Sequence, residues 1–154
     1  MTSTYQSTFK QEKYGFRDER LSRRHRLYGS ACPMVDLDFL VIEYHLKKTV
    51  ALIEYKHWRG EETFDLNNAN YQALMDMADR AELPFFVSFY HPETWNYIVY
   101  PGNAKSFEWI TTKTEMNEHD YVRFLYKMRY IEVKKEILEK LKPKKSKSAK
   151  RVDA

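Results

Sequence analysis

The sequence predicts a mixed α/β (α+β) fold, a central mixed sheet flanked by helices. Three stretches predict it. Residues 35–58 read as a long apolar hairpin, VDLDFLVIEY and TVALIEYKHW joined by HLKK. Residues 66–82 place apolar side chains three and four apart and are followed by FFVSFY, a buried strand, so that a helix crosses over to a parallel neighbour. Residues 118–141 carry Tyr121, Leu125, Met128, Ile131 and Leu138 at helical spacing.

Taken in order, residues 1–14 are polar and expected to be loosely ordered. Residues 16–28, FRDERLSRRHRLY, predict a short basic helix ended by Gly29. After the connector GSACPM, the first hairpin strand is apolar on both faces beyond Asp38. That pattern predicts a central strand with both faces covered. The helix over 66–82 has Leu66, Ala69, Ala73, Met77 and Ala81 as its expected apolar stripe. Asp65 or Asn67 is its expected cap, and Leu83-Pro84 its stop. Strands are expected at 85–90 and 95–100 with HPET as the turn, and a short edge strand at 107–111. One long helix is expected over 118–141, capped by Asn117 or Thr114. Residues 142–154, rich in lysine and serine, are expected to be disordered.

At 154 residues with 43% hydrophobic side chains, the chain suffices for one domain over 1–141 plus a basic tail. No apolar run approaches a membrane span, and the start lacks the apolar stretch of a signal peptide. A single cysteine, Cys32, excludes a disulfide framework and fits a reducing, cytoplasmic location. No Cys/His cluster suggests zinc. The net charge of +4 is unevenly spread: residues 140–154 carry +6, residues 1–28 carry +4, and the middle is acidic. An acidic centre between basic ends suits a metal site bordered by phosphate-binding surface; a solvated tail that aids solubility is the alternative.

The hairpin holds the residues that carry chemistry. Asp36 and Asp38 open its first strand and share a face; Glu54 and Lys56 close the second and share a face. An antiparallel pair brings the start of one strand beside the end of the other. Three acids and a lysine therefore converge at one end of an apolar ribbon. Hard cations such as Mg²⁺ take carboxylate oxygens in this way, and a lysine steadies an anion beside them. Ordinary salt-bridged strand ends are the alternative.

Asp38 followed by Phe39-Leu40-Val41, then Glu54-Tyr55-Lys56 after Val50-Ala51-Leu52-Ile53, resembles the PD-(D/E)xK nuclease superfamily, the restriction-endonuclease-like fold. The resemblance covers roughly the first hundred residues. Val35 rather than proline precedes Asp36, and Leu37 precedes Asp38, so either aspartate can be the motif's; DFLV leading down the strand favours Asp38. The family's usual core has one more strand before this pair, which is expected to be short or to lie near 9–16.

The resemblance implies that Asp38 and Glu54 bind Mg²⁺ (or Mn²⁺) with the backbone carbonyl of Tyr55, and that Lys56 positions the water or stabilises the transition state. Asp36 would bind a second metal or support the first. Gln72 follows the E-x-K triplet by sixteen positions, on the next helix, and matches a glutamine that some branches pack over the lysine; a surface glutamine is the alternative. Glu19 or His25, on the preceding helix, are further metal candidates, while Arg20, Arg23, Arg24 and Arg26 are candidates for phosphate binding. His57 and Trp58 are expected at the rim, where an exposed aromatic can stack on a base. The expected activity is metal-dependent cleavage of DNA, endo- or exonucleolytic and structure-selective or non-specific. A homodimer is a possible assembly, and no membrane partner is expected. A non-catalytic nucleic-acid-binding or scaffold protein with the same fold is the alternative.

Overall fold

A computed structural model describes residues 19–31, 33, 37–43 and 45–141. The chain divides between Asp36 and Leu37 into two units. In the first, α1 (Glu19–Leu27) buries none of its residues. Glu19 and Arg23 pair across one turn at 3.7 Å. Arg24, His25 and Arg26 fill the last turn, where cations suit the helix dipole. Gly29, with φ of 88°, follows in the left-handed region expected of a helix stop.

The second unit contains β1 (Phe39–Glu43), β2 (Lys48–His57), α2 (Ala69–Arg80), β3 (Phe85–Tyr90), β4 (Tyr97–Pro101), a 3₁₀ turn (Ala104–Glu108), β5 (Thr114–Met116), α3 (Glu118–Met128) and α4 (Lys135–Lys140). The five strands lie in sequence order. β2 and β3 are parallel, joined through α2, and every other pair is antiparallel. The fold is therefore the expected mixed α/β sheet with helices. Among the described residues no helix is long and apolar enough to cross a membrane. Alternation along β2 and β3 splits the core. Leu52, Phe85, Val87 and Phe89 pack with Tyr71, Leu74 and Ala78 of α2. Ala51, Ile53 and Phe86 pack on the other face with Tyr121, Phe124 and Met128 of α3. β3, FFVSFY, is buried on both faces because it is the middle strand.

A buried polar clamp fixes where β3 starts. Asn103 Oδ1 accepts from the N–H groups of Phe85 (2.9 Å) and Ser106 (3.0 Å), while its Nδ2 donates to Asp79 and to the Leu83 carbonyl. The end of α2, the start of β3 and the 3₁₀ turn are thereby tied to one side chain. Gly102 passes so close that a Cβ there would lie 2.7 Å from the Phe85 ring.

Several elements differ from the sequence reading. β1 is an edge strand, not a central one; it pairs only with β2 among the described residues, and Leu40 and Ile42 are exposed. The buried face of α2 is Tyr71, Leu74 and Ala78, and the expected stripe of Ala69, Ala73, Met77 and Ala81 faces outward. A tyrosine and a leucine remove more apolar area from water than alanines do, so they take the inner face. The cap is Asn68, whose side chain accepts from Asn70 N–H; Asp65 instead accepts from Asn67 N–H in the preceding turn. The edge strand expected at 107–111 is replaced by the 3₁₀ turn before it, and β5 forms further on. The expected long C-terminal helix stops at Met128 and resumes as α4. Tyr130 adopts φ of 56°, and Ile131 N–H reaches back to the Tyr126 carbonyl, which closes α3 in a left-handed turn without glycine. Asn117 caps α3 as expected. The expectations for residues 1–18, Cys32, the start of the first strand at 34–36 and the tail at 142–154 lie outside the described residues.

Candidate functional site

The hairpin register builds the site. Phe39 pairs with Ile53, Leu40 with Leu52 and Val41 with Ala51. Continued by one pair, this register sets Asp38 opposite Glu54. Residues opposite one another in an antiparallel pair hold their Cβ atoms about 4.5–5.5 Å apart and share a face. A hydrogen bond fixes the junction: the Tyr55 N–H donates to Asp38 Oδ2 at 3.0 Å.

Within Glu54-Tyr55-Lys56, alternation sends the middle residue to the opposite face from its neighbours. Lys56 faces α2, its Nζ lying 5.4 Å from the centre of the Tyr71 ring. Such a contact is worth about 0.5–1 kcal/mol at an accessible site and restrains the lysine stem. Glu54 is half-buried and, two residues before Lys56 on the strand, shares its face. Tyr55 enters the α3 face instead. Its hydroxyl hydrogen-bonds to that of Tyr121, and its ring meets Phe39 edge-on at 5.2 Å. Tyr97 stacks on Tyr121 at 3.8 Å. Burial, and then the nearby Tyr55, push the Tyr121 hydroxyl well above the ordinary tyrosine range. Burial, and then the Glu118 carboxylate, raise Tyr97. Tyr55 thus anchors the backbone of the triplet from beneath, while Glu54 and Lys56 flank it above.

The donor chemistry suits Mg²⁺. That ion is held by one or two carboxylates, the rest of its shell being water and substrate phosphate. Asp38 and Glu54 are the two carboxylates that could hold one here. Among the described residues no group of three or more His, Cys, Asp or Glu gathers to hold an ion, so the larger protein-only cages of zinc or calcium are not seen there. Asp36 lies outside the described residues.

The remaining candidates are dispersed. Gln72 is exposed on α2 and donates to the Leu66 carbonyl at 2.7 Å; the α2 side chain that meets Lys56 is its neighbour Tyr71. Arg20, Arg23, Arg24 and Arg26, with Glu19 and His25, lie on α1 in the first unit. His57 is exposed and meets Tyr90 edge-on at 5.4 Å. Trp58 is half-buried, tilted against His91 at 5.3 Å.

Sequence reasoning missed Tyr71. Its hydroxyl is buried without a hydrogen-bond partner among the described residues, and its ring carries Lys56. The signal was present: Tyr71, Leu74 and Ala78 are spaced three and four apart, as a buried face requires. No known family profile, curated protein or solved structure matches the chain.

Proposed function

We propose that the chain is a metal-dependent nuclease that hydrolyses phosphodiester bonds in DNA at Asp38, Glu54 and Lys56. One observation carries this reading: the Tyr55 N–H holds the Asp38 carboxylate against the Glu54-Tyr55-Lys56 strand, where the hairpin register extended one pair past Phe39 and Ile53 would bring Asp38 beside Glu54. The resemblance of this pattern to PD-(D/E)xK nucleases supplies the reaction.

Asp38 and Glu54 would hold the Mg²⁺, with the Tyr55 carbonyl as the third protein ligand that the resemblance implies. The chemistry such an ion would supply at these residues is a more acidic bound water and withdrawal of charge from the phosphate. The Tyr55 N–H orients Asp38 and leaves further carboxylate lone pairs to act as ligands. Lys56 places a positive charge next to the carboxylates, where it stabilises the phosphate as negative charge accumulates. Tyr71 restrains that lysine from below. In the reaction the water oxygen bonds to phosphorus and gives up a proton to solvent, the bond to the leaving oxygen breaks, and that oxygen takes up a proton from solvent.

Incubation with supercoiled, linear, single-stranded and branched DNA, with Mg²⁺ and with chelator, tests the proposal. Products that form with Mg²⁺ and vanish with chelator are expected. Binding without cutting under every metal condition would make the chain a nucleic-acid-binding or scaffold protein that keeps the same fold.

A further inference from the structure

One strand over from Lys56, at the end of the sheet where β3, β4 and β5 meet the 91–96 turn, lies a cavity of about 400 Å³ whose lining includes Trp58, Phe89, His91, Asn96, Ile98 and Glu115. Strand pairing connects it to the proposed site in one row. Lys56 pairs with Phe89, Phe89 with Ile98, and Ile98 with Glu115. Neighbouring strands are about 4.8 Å apart, so the cavity floor begins one strand away from the lysine.

Its chemistry selects against a phosphate and for a base. Phe89 and Ile98 form an apolar floor, and the Trp58 ring is a wall. The lining holds no lysine or arginine, and Glu115 is its one acidic side chain. A carboxylate repels a phosphate but accepts hydrogen bonds from the exocyclic amino group of a base. Asn96 adds an amide donor and acceptor at the rim. The wall formed by residues 91–96 is internally braced: Trp95 N–H donates to the His91 carbonyl at 2.7 Å, and His91 N–H to the Asn96 carbonyl at 3.0 Å. His91 Nδ1 also accepts from the N–H groups of Glu93 and Thr94, at 3.3 and 3.4 Å. A braced, largely apolar cavity with a few polar groups is the usual form of a small-ligand site.

We propose that this cavity binds one unpaired nucleobase of the DNA strand whose phosphate lies at Lys56. The inference rests on the nuclease reading for its ligand class. A base seated against Trp58 cannot remain in a duplex stack, so the substrate is single-stranded at that point: a free strand, an overhang or a flap. Stacking on an aromatic ring accepts any base, and Glu115 and Asn96 then favour bases that present an amino group.

The test is fluorescence anisotropy of labelled oligonucleotides on the full chain, in Ca²⁺ to prevent cutting, with cleavage in Mg²⁺ followed in parallel. Single-stranded DNA and a duplex with an overhang should bind about tenfold more tightly than a blunt duplex, the scale of one stacked base. An abasic nucleotide walked along the single strand should cost about tenfold at one position only. This walk uses the wild type, so it stands even where a variant folds poorly. Trp58→Ala should abolish the cost of that abasic position and leave the blunt duplex within twofold, whereas Trp58→Phe should keep most of it. Equal binding of blunt duplex and single strand, or an abasic walk with no sensitive position, would overturn the base site. So would a Trp58→Ala defect as large on the blunt duplex as on the single strand. Cutting without the preference overturns this inference alone; the preference without cutting overturns the nuclease reading alone; no binding to any DNA overturns both.

Discussion

Asp38 and Tyr55 are joined by a 3.0 Å hydrogen bond from the Tyr55 N–H to the Asp38 carboxylate, across the mouth of the hairpin. The bond makes Asp38 part of the E-x-K strand's own backbone network. A carboxylate held in this way has a fixed direction before any cation arrives, which lowers the ordering cost of binding one.

Two substitutions separate the structural role of Asp38 from its proposed ligand role. Asp38→Asn keeps an oxygen for the Tyr55 N–H and should leave stability within about 0.5 kcal/mol. Asp38→Ala removes that acceptor at an exposed site and should cost about 1 kcal/mol. Both should abolish the rise in melting temperature that Mg²⁺ gives the wild type, because binding to the folded state alone is what raises it. Thermal melts with and without Mg²⁺ check this. A wild-type shift that persists in Asp38→Asn would move the ligand role to Asp36.

Asn103 should matter for stability and not for chemistry. Removing its side chain leaves the buried Phe85 N–H without its acceptor and takes the Nδ2 donor from Asp79 and the Leu83 carbonyl, while the Ser106 N–H keeps the Asn103 backbone carbonyl at 3.1 Å. Asn103→Ala should therefore cost about 2–4 kcal/mol, and the melting temperature should fall by roughly 10 °C. Cleavage per folded molecule at low temperature should be unchanged. Denaturant unfolding measures the first quantity and an activity assay the second.

The tyrosine cluster beneath the triplet makes a pH prediction. Tyr121 has its hydroxyl pushed well above the ordinary value, first by burial and then by Tyr55. A raised folded value means the unfolded chain ionises first. The contribution to stability is fully present below about pH 10 and is lost as pH rises through the raised value. Tyr121→Phe should flatten that alkaline decline. It should also cost about 1 kcal/mol at pH 7, since the Tyr55 hydrogen bond goes with the hydroxyl. Unfolding free energies between about pH 7 and 11.5, which bracket the ordinary tyrosine value, provide the measurement. An equally steep decline in the variant would place the titration elsewhere, with Tyr97 the next group to examine.

The basic ends are tested by salt. If Arg20, Arg23 and Arg24 neutralise phosphates, replacing them with alanine should flatten the slope of log affinity against log salt by about 0.9 for each phosphate no longer neutralised. Removing residues 142–154 should act similarly if the tail touches DNA, with the melting temperature nearly unchanged. Salt titrations of DNA affinity in Ca²⁺ distinguish the two, and unchanged slopes would restrict DNA binding to the sheet.

Much of the hairpin that carries the candidate site was legible because strand alternation is a simple rule. Val50-Ala51-Leu52-Ile53 and Phe39-Leu40-Val41 can pair in few ways, and the acids at their ends follow. The parallel strand at Phe85 was legible because Leu83-Pro84 stops the helix and FFVSFY has no polar face for solvent. The inner face of α2 was not, since Ala69, Ala73 and Met77 fit a helical repeat as well as Tyr71, Leu74 and Ala78 do. Only packing against β2 and β3 decides between them, and with it goes the Tyr71–Lys56 contact. The break after Met128 was hidden for a different reason. Tyr130 enters the left-handed region with no glycine to announce it. β5, three residues long, exists only because β4 offers an edge.

Lys56 is the residue whose removal should spare the fold and stop the reaction. The most direct measurement is the single-turnover cleavage rate of Lys56→Ala in saturating Mg²⁺, compared with the wild type on the same DNA. The variant should melt within a few degrees of the wild type, because the ring contact it gives up is worth about 0.5–1 kcal/mol. It should still show the Mg²⁺-dependent rise in melting temperature, and its cleavage rate should fall at least about 100-fold. Cleavage at the wild-type rate by a folded, metal-bound Lys56→Ala would contradict the assignment of Glu54-Tyr55-Lys56 as the reacting centre.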